Sequence, residues 1–215
     1  MRVLKIPEVT IERLSVYSRY LTIKKHQGRI TTSSQKIAED VGVNPAQVRK
    51  DLAYFGEFGT RGVGYNVDEL NRDIIKILGL NKEWNAALVG FGHLGHALIS
   101  YGGFQERGFH FTSIFDIDPV KIGTMVNGVE VSSLSRLEEV VACNNNQIGI
   151  ITVPADGAQD IANSLVKAGV QAILNFAPVT LSVPENIELR NVDLTVNLEI
   201  LSFNMESNHI SYMNK

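Results

Sequence analysis

The stretch Asn85–Ile99, Asn-Ala-Ala-Leu-Val-Gly-Phe-Gly-His-Leu-Gly-His-Ala-Leu-Ile, constrains the fold more than any other part of the chain. An apolar run of strand length passes into Gly90-x-Gly92-x-x-Gly95 and then directly into an apolar helical pattern. In that order, the first glycine permits a tight turn, the second lets a diphosphate approach the backbone, and the third lets helix and strand pack closely. The new helix adds unpaired N–H groups and a positive dipole end. Phe91, His93 and Leu94 fill the loop between the glycines and join them as candidate binding residues.

A second strand pattern, Phe111–Asp116, ends in a carboxylate about 20 residues after the glycines, where such folds bind a ribose 2′-hydroxyl. A lone glycine triplet also occurs in purely structural turns. Strand, triplet, helix, strand and acid in sequence point instead to dinucleotide binding. No arginine follows Asp116 within Ile117-Asp118-Pro119, and Asp118 adds a second negative charge. That arrangement suits a free 2′-hydroxyl and opposes a 2′-phosphate, so the expected cofactor is NAD(H).

Beyond Asp116 the pattern alternates. Val129–Val131 is a short strand candidate, Leu134–Val141 a helix, Ile148–Val153 a strand apolar on both faces, Ala158–Ala168 a helix and Ala172–Phe176 a strand. Glu188–Leu194 could be the last strand. The expected fold is α/β with a Rossmann-like, doubly wound parallel sheet. Thr152-Val153-Pro154 and Asn175-Phe176-Ala177-Pro178 fall at carboxyl ends of strands, where such sheets bind ligands. A strand-ending turn would produce the same pairs.

The net charge of −3 conceals an asymmetry: residues 1–65 carry +5 and the remainder −8. A basic segment joined to an acidic one suggests a nucleic-acid module attached to something else. Within it, residues 10–26 have helical spacing, and a serine cluster precedes a short helix with Ile37, Ala38 and Val41 inward. Gly42 supplies a turn, Asn44 a cap and Pro45 the first helical position of a second helix. Val48, Leu52 and Phe55 share the inner face of that helix. The alternation Val63/Tyr65/Val67 among glycines suits a β-hairpin with Arg61 near its tip. A helix-turn-helix followed by such a wing is a winged helix. Its candidate DNA-facing residues are Ser34, Asn44, Gln47, Arg49, Lys50 and Tyr54, with Thr60, Arg61 and Gly62 on the wing. A three-helix structural module is the plainer alternative, and the positive balance weighs against it.

The expected units are residues 1–80, 81–194 and 195–215; residues 194–213 read as an amphipathic helix with Leu194, Leu198, Leu201 and Met205 on one face. It could cover its own unit or pack on a partner; the pattern does not choose. No run approaches a membrane span, the first residues lack a signal peptide's apolar core, and Cys143 is the single cysteine, so a cytoplasmic protein is expected. No metal-ligand spacing occurs.

Together these segments resemble the Rex family of redox-sensing transcriptional repressors over essentially the whole chain. The resemblance is carried by Val48–Tyr65, Val89–Gly95, Phe115–Pro119, Thr152–Pro154 and Asn175–Pro178. It implies homodimers that bind palindromic operator DNA and release it when NADH binds, and a terminal helix swapped between subunits. It further implies that Arg19 pairs with Asp193 of the other subunit, and that the nicotinamide lies near Tyr101, Phe176 and Pro178. Gly102 stands where the family commonly has proline, and His93 is unusual inside the glycine loop.

A nicotinamide-dependent dehydrogenase is the rival class. Only about twenty residues follow the last strand, too few for a substrate domain of typical size. The histidines beyond the wing are His93, His96, His110 and His209, none of them placed as an obvious general acid or base. A coenzyme A or other nucleotide-binding protein could use the same fold.

Overall fold

The computed structural model of the chain describes residues 6–213, with side chains described through Ser207. The expected limits at residues 1–5 and 214–215, and the side chain of His209, lie outside the described residues. The chain divides into two compact units, Met1–Lys82 and Glu83–Lys215, and the terminal helix falls within the second.

The first unit contains α1 (Glu8–His26), β1 (Thr31–Thr32), α2 (Ser34–Val41), α3 (Pro45–Ala53), β2 (Tyr65–Asn66) and α4 (Val67–Ile77). Local chemistry sets the helix starts. The Ser33 side chain accepts from the Lys36 amide at 3.2 Å, and the Asn44 side chain from the Gln47 amide at 2.8 Å with Pro45 at the first turn. Gly42 ends α2. Leu14, Tyr17, Leu21, Ile37, Val48 and Ile74 form the centre of a core that all four helices share.

The wing differs from the predicted local hairpin. Val67 begins α4, because Asn66 caps that helix by accepting from the Asp68 and Glu69 amides at 3.0 and 3.1 Å. Tyr65 instead pairs with Thr32 of β1, antiparallel. What remains of the hairpin is a tight turn in which Thr60 and Gly64 exchange two backbone hydrogen bonds of 2.9 Å, with Arg61 at its tip.

The second unit runs β3 (Trp84–Val89), α5 (His93–Ser100), β4 (Phe109–Asp116), β5 (Met125–Val126), β6 (Val129–Ser133), α6 (Leu137–Cys143), β7 (Ile148–Ile151), α7 (Ala158–Lys167), β8 (Ala172–Asn175), β9 (Glu188–Asn191) and α8 (Leu194–Met213). The sheet order is β5-β6-β4-β3-β7-β8-β9, with every pair parallel except β5–β6. Without the β5 edge, this is the 3-2-1-4-5-6 order of a dinucleotide-binding sheet, reversing direction at β3.

Strand β3 explains why its sequence is apolar throughout. Ala86 and Leu88 face one core with Ile99 of α5, whereas Ala87 and Val89 face another with Val141 of α6 and Leu165 of α7. Strand β7 stops at Ile151, so Thr152–Pro154 belong to the loop beyond it, and a short 3-10 turn at Leu134–Arg136 precedes α6. Helix α8 leaves Leu194, Leu198, Leu201, Phe203 and Met205 exposed, Phe203 by 71%. Among the described residues, no helix is long and apolar enough to cross a membrane.

Candidate dinucleotide cleft and nucleic-acid interface

Gly90 follows β3 with φ 98°, and a Cβ there would meet Thr152 O at 2.8 Å. A Cβ on Gly95 would meet Gly90 O at 2.3 Å, so α5 can approach β3 only because that position is bare. Gly92 is different: nothing lies within 4 Å of a Cβ built there, and no side chain caps α5. Open space beside a helix N-terminus with free amides is what an incoming diphosphate requires. Thr152 ties the two loops together, its Oγ1 donating to Gly90 O at 2.7 Å.

These loops open on a cavity of about 690 Å³, within the size range of cofactor sites. Gly90, Gly92, Asp116, Thr152, Val153 and Pro154 all line it, joined by Ile117, Lys121, Leu134, Asp156 and Asp160. Asp116 is buried at the end of β4. Its Oδ2 accepts from the Phe91 amide at 2.8 Å and from Lys121 Nζ at 3.1 Å, and its Oδ1 from the Asp118 amide at 2.8 Å. Burial alone would raise its pKa, but the Asp118 amide, Lys121 and the Phe91 amide outweigh it and hold the carboxyl below its usual value. Asp116 therefore stands as an ionised acceptor at the cavity wall, the chemistry a ribose hydroxyl needs. The residues present fit a dinucleotide.

The other expected contacts are placed differently. His93 and Leu94 are exposed on the first turn of α5, and Phe91 packs near His96 with ring centroids 5.5 Å apart. Tyr101 lies at the end of α5, exposed and edge-on to Phe104, beside a separate cavity of about 640 Å³. Asn175 is fully buried, and its amide is committed to the turn that follows: Nδ2 donates to Val179 O and Asn191 Oδ1, both at 2.9 Å, and Oδ1 accepts from the Ala177 amide. It shapes the Phe176–Pro178 loop from beneath. Phe176 packs on the core against α5, Ala177 is buried and Pro178 is exposed.

In the first unit, Arg49, Lys50, Thr60, Arg61 and Gly62 are exposed, and Tyr54 is half-buried at the end of α3. Arg49 Nη1 donates to Ser34 Oγ at 3.0 Å, linking the two helices of the helix-turn-helix. Asn44 uses its side-chain oxygen for the cap.

Sequence reading missed the anchor of this module. Asp51 is fully buried on the inner side of α3, where it accepts from Arg13 Nε and Nη2, each at 2.6 Å, from Tyr17 OH at 2.9 Å, from Gln47 Nε2 at 2.8 Å and from Thr10 Oγ1 at 3.2 Å. Burial would raise its pKa; the hydrogen bonds from Arg13, Gln47 and Tyr17 prevail and lower it. The available signal was spacing, since Asp51 follows Val48 by three and so falls on the buried face. Lys121 was missed as well, because it lies five residues beyond the carboxylate it pairs with.

Arg19 is exposed on α1, and Asp193 is exposed just before α8, where its Oδ1 accepts from the Thr195 amide at 2.8 Å. Among the described residues, no group of three or more His, Cys, Asp or Glu is arranged to hold a metal ion.

Known proteins match along the whole chain. Residues 81–179 match the CoA binding domain family and residues 5–53 the putative DNA-binding protein N-terminus family. The redox-sensing transcriptional repressor Rex of Desulfitobacterium hafniense is 67% identical over 95% of this chain and 98% of its own length. That of Carboxydothermus hydrogenoformans is 61% identical over 95% and 99%. The structure of RSP, a Rex-family repressor, in complex with β-NAD⁺ and operator DNA superposes with a TM-score of 0.91 at 39% identity, covering 97% of this chain and 96% of that one. RSP in complex with β-NADH gives a TM-score of 0.88 at 37% identity, covering 98% and 99%. With a sheet ordered for a dinucleotide, a winged helix ahead of it and near-full-length relatives at this identity, the chain belongs to the Rex family of redox-sensing transcriptional repressors.

Proposed function

We propose that this chain is a cytoplasmic repressor that binds operator DNA as a homodimer and releases it when NADH, rather than NAD⁺, occupies the second unit. It acts by binding and not by catalysis. The observation that carries this reading is the union, in one chain, of a helix-turn-helix with exposed Arg49, Lys50 and Arg61 and a cleft that joins the open Gly92 turn to the Asp116 carboxylate. The relatives named above are repressors, and RSP is known with each cofactor form and with operator DNA.

The α5 N-terminus and the Gly90–Gly95 backbone would hold the diphosphate, Asp116 a ribose hydroxyl, and Thr152–Pro154 the wall opposite. Reduced and oxidised forms differ by one positive charge on the nicotinamide ring. Tyr101 and Pro178 are exposed in the single chain, so an apolar enclosure near Tyr101, Phe176 and Pro178 would need the second subunit to cover it; such an enclosure would disfavour the cationic ring through desolvation and accept the neutral one. The exposed apolar face of α8 is the surface assigned to the second subunit, and Arg19 and Asp193 the charged pair beside it. Titrating operator binding against NADH and against NAD⁺ tests the reading. Loss of DNA binding with NADH alone supports it; operator affinity that is equal with NADH, with NAD⁺ and without cofactor rejects it.

A further inference from the structure

Asp51 carries consequences beyond holding α3 in place. We propose that Asp51 is a positioning residue that fixes which atoms of the Gln47 carboxamide face the DNA, so that the pair selects an adenine in each operator half-site. The proposal rests on the reading that α3 enters the major groove.

Gln47 is the third residue of α3, at the helix end that meets base edges in a helix-turn-helix. An ionised carboxylate can only accept hydrogen bonds, so the side of the Gln47 amide turned toward Asp51 must be its nitrogen, and Nε2 lies 2.8 Å from Oδ1. One amide hydrogen is used there. The second hydrogen and Oε1 remain, a donor and an acceptor on one planar group. The Asp51 carboxylate cannot turn away, because Arg13 grips both of its oxygens at 2.6 Å and Tyr17 adds a third anchor at 2.9 Å. The reading group is thus set before DNA arrives, which lowers the ordering cost of contact.

In the major groove adenine presents the complement, an N6 donor beside an N7 acceptor. Guanine presents two acceptors, cytosine a donor alone and thymine an acceptor alone. A freely rotating glutamine could offer its nitrogen to guanine; one fixed by Asp51 is directed to adenine. One bidentate contact of this kind discriminates about 5- to 150-fold against a wrong base.

The test uses the full-length protein and an operator duplex that the wild type selects from a random-sequence pool. Each half-site adenine is replaced in turn by 7-deazaadenine, which lacks the N7 acceptor, or by purine, which lacks the N6 amino group. The expected result is one adenine per half-site at which both analogues weaken wild-type binding about 5- to 150-fold, with no effect in Q47A. Folded D51N is expected to lose discrimination at that adenine while keeping it elsewhere. Tyr17→Phe, which leaves the bidentate Arg13 grip on Asp51 in place, should keep that discrimination and serves as the folded control. Wild-type insensitivity at every adenine, sensitivity that survives in Q47A, or unchanged discrimination at that adenine in folded D51N overturns the proposal. A wild-type protein that selects no duplex at all would instead reject the DNA-binding reading itself.

Discussion

Lys121 Nζ stands 3.1 Å from Asp116 Oδ2, placing a cation against the carboxylate in the wall of the cleft. It lies 3.9 Å from Asp118 as well, so one lysine faces two acids and the local balance stays negative. NADH should therefore bind in preference to NADPH. Removing the cation by Lys121→Ala should widen that preference about fivefold, the effect of roughly 1 kcal/mol for a partly exposed pair, whereas Asp116→Asn should narrow it. Calorimetry with both cofactors measures this; equal NADH and NADPH affinity in the wild type would remove Asp116 from its assigned role.

Two glycines three residues apart should respond to alanine in opposite ways. The space at Gly92 is empty, so Gly92→Ala should fold with an unchanged Tm and lose NADH affinity, because the methyl occupies the approach of the diphosphate. At Gly95 the methyl would meet Gly90 O at 2.3 Å, so Gly95→Ala should lower Tm by several degrees even without cofactor. Thermal melts with and without NADH separate the two. A Gly92→Ala protein with a full NADH-induced rise in Tm would place the diphosphate elsewhere.

Acid should act on the first unit through Asp51. Its pKa is lowered in the folded state, against an unfolded value near 3.9, so its ionised form favours folding. That contribution is complete above about pH 5 and is lost as pH falls through the folded pKa. Asp51→Asn should cost about 1.5–3 kcal/mol at pH 7, as hydrogen bonds to a charged group do, and should flatten the loss of stability between about pH 5 and 2. Denaturant unfolding across that range reads both effects, and an acid slope identical to wild type would deny Asp51 this role.

Much of the order of elements was legible in the sequence because β3, β7 and β8 are bounded apolar runs and Ser33, Gly42 and Asn44 mark helix ends, whereas β5 has only two residues and β9 is mostly polar. That Gly90, Gly92 and Asp116 line one cavity was legible for a related reason, since they lie at the ends of the adjacent strands β3 and β4. What the sequence concealed depends on distance along the chain. Arg13 and Asp51 are 38 residues apart, and no local pattern joins them. The wing was misread because alternation at Val63, Tyr65 and Val67 looks like a hairpin, while the partner of Tyr65 is Thr32 and Asn66 turns the chain into α4. Asn175 was read as a ligand-facing residue from its place at a strand end. Its full burial and commitment to the Ala177–Val179 turn follow from β9 pairing beside it, which periodicity does not reveal.

Contacts to DNA should divide into positioning and reading. Arg61 at the tip of the wing turn suits a phosphate or minor groove, so Arg61→Ala should weaken binding to all sequences alike and reduce the salt slope by about one. Arg49, exposed and steadied by Ser34, should matter more, and Arg49→Ala should abolish specific binding while leaving the fold intact. Shift assays at several salt concentrations distinguish them; wild-type operator affinity in folded Arg49→Ala protein would remove that residue from the interface.

In the proposed homodimer, coupling between the two units would need a path from the cleft to the winged helix, and α8 is the element proposed to supply it. Its apolar side chains, Leu198 and Leu201 among them, are exposed to 66% and 58%, more apolar surface than a lone helix keeps in water without a partner. If a second copy covers them, charges at Leu198 and Leu201 should give a monomer by sedimentation, and a monomer should bind a palindromic operator weakly because it engages one half-site at a time. Arg19 on α1 and Asp193 at the start of α8 are then the charged groups that can register how the helix of one subunit sits against the first unit of the other. Allosteric couplings are typically about 1–3 kcal/mol, so NADH should change operator affinity roughly 5- to 150-fold, and operator DNA must weaken NADH binding by the same factor. Breaking the pair by Arg19→Ala should shrink that factor in both directions while changing NADH affinity without DNA by less than twofold or so, a loss of roughly 0.4 kcal/mol. Measuring NADH affinity with and without operator, in wild type and variant, closes the cycle. A coupling factor unchanged by Arg19→Ala would take the Arg19–Asp193 pair out of the path.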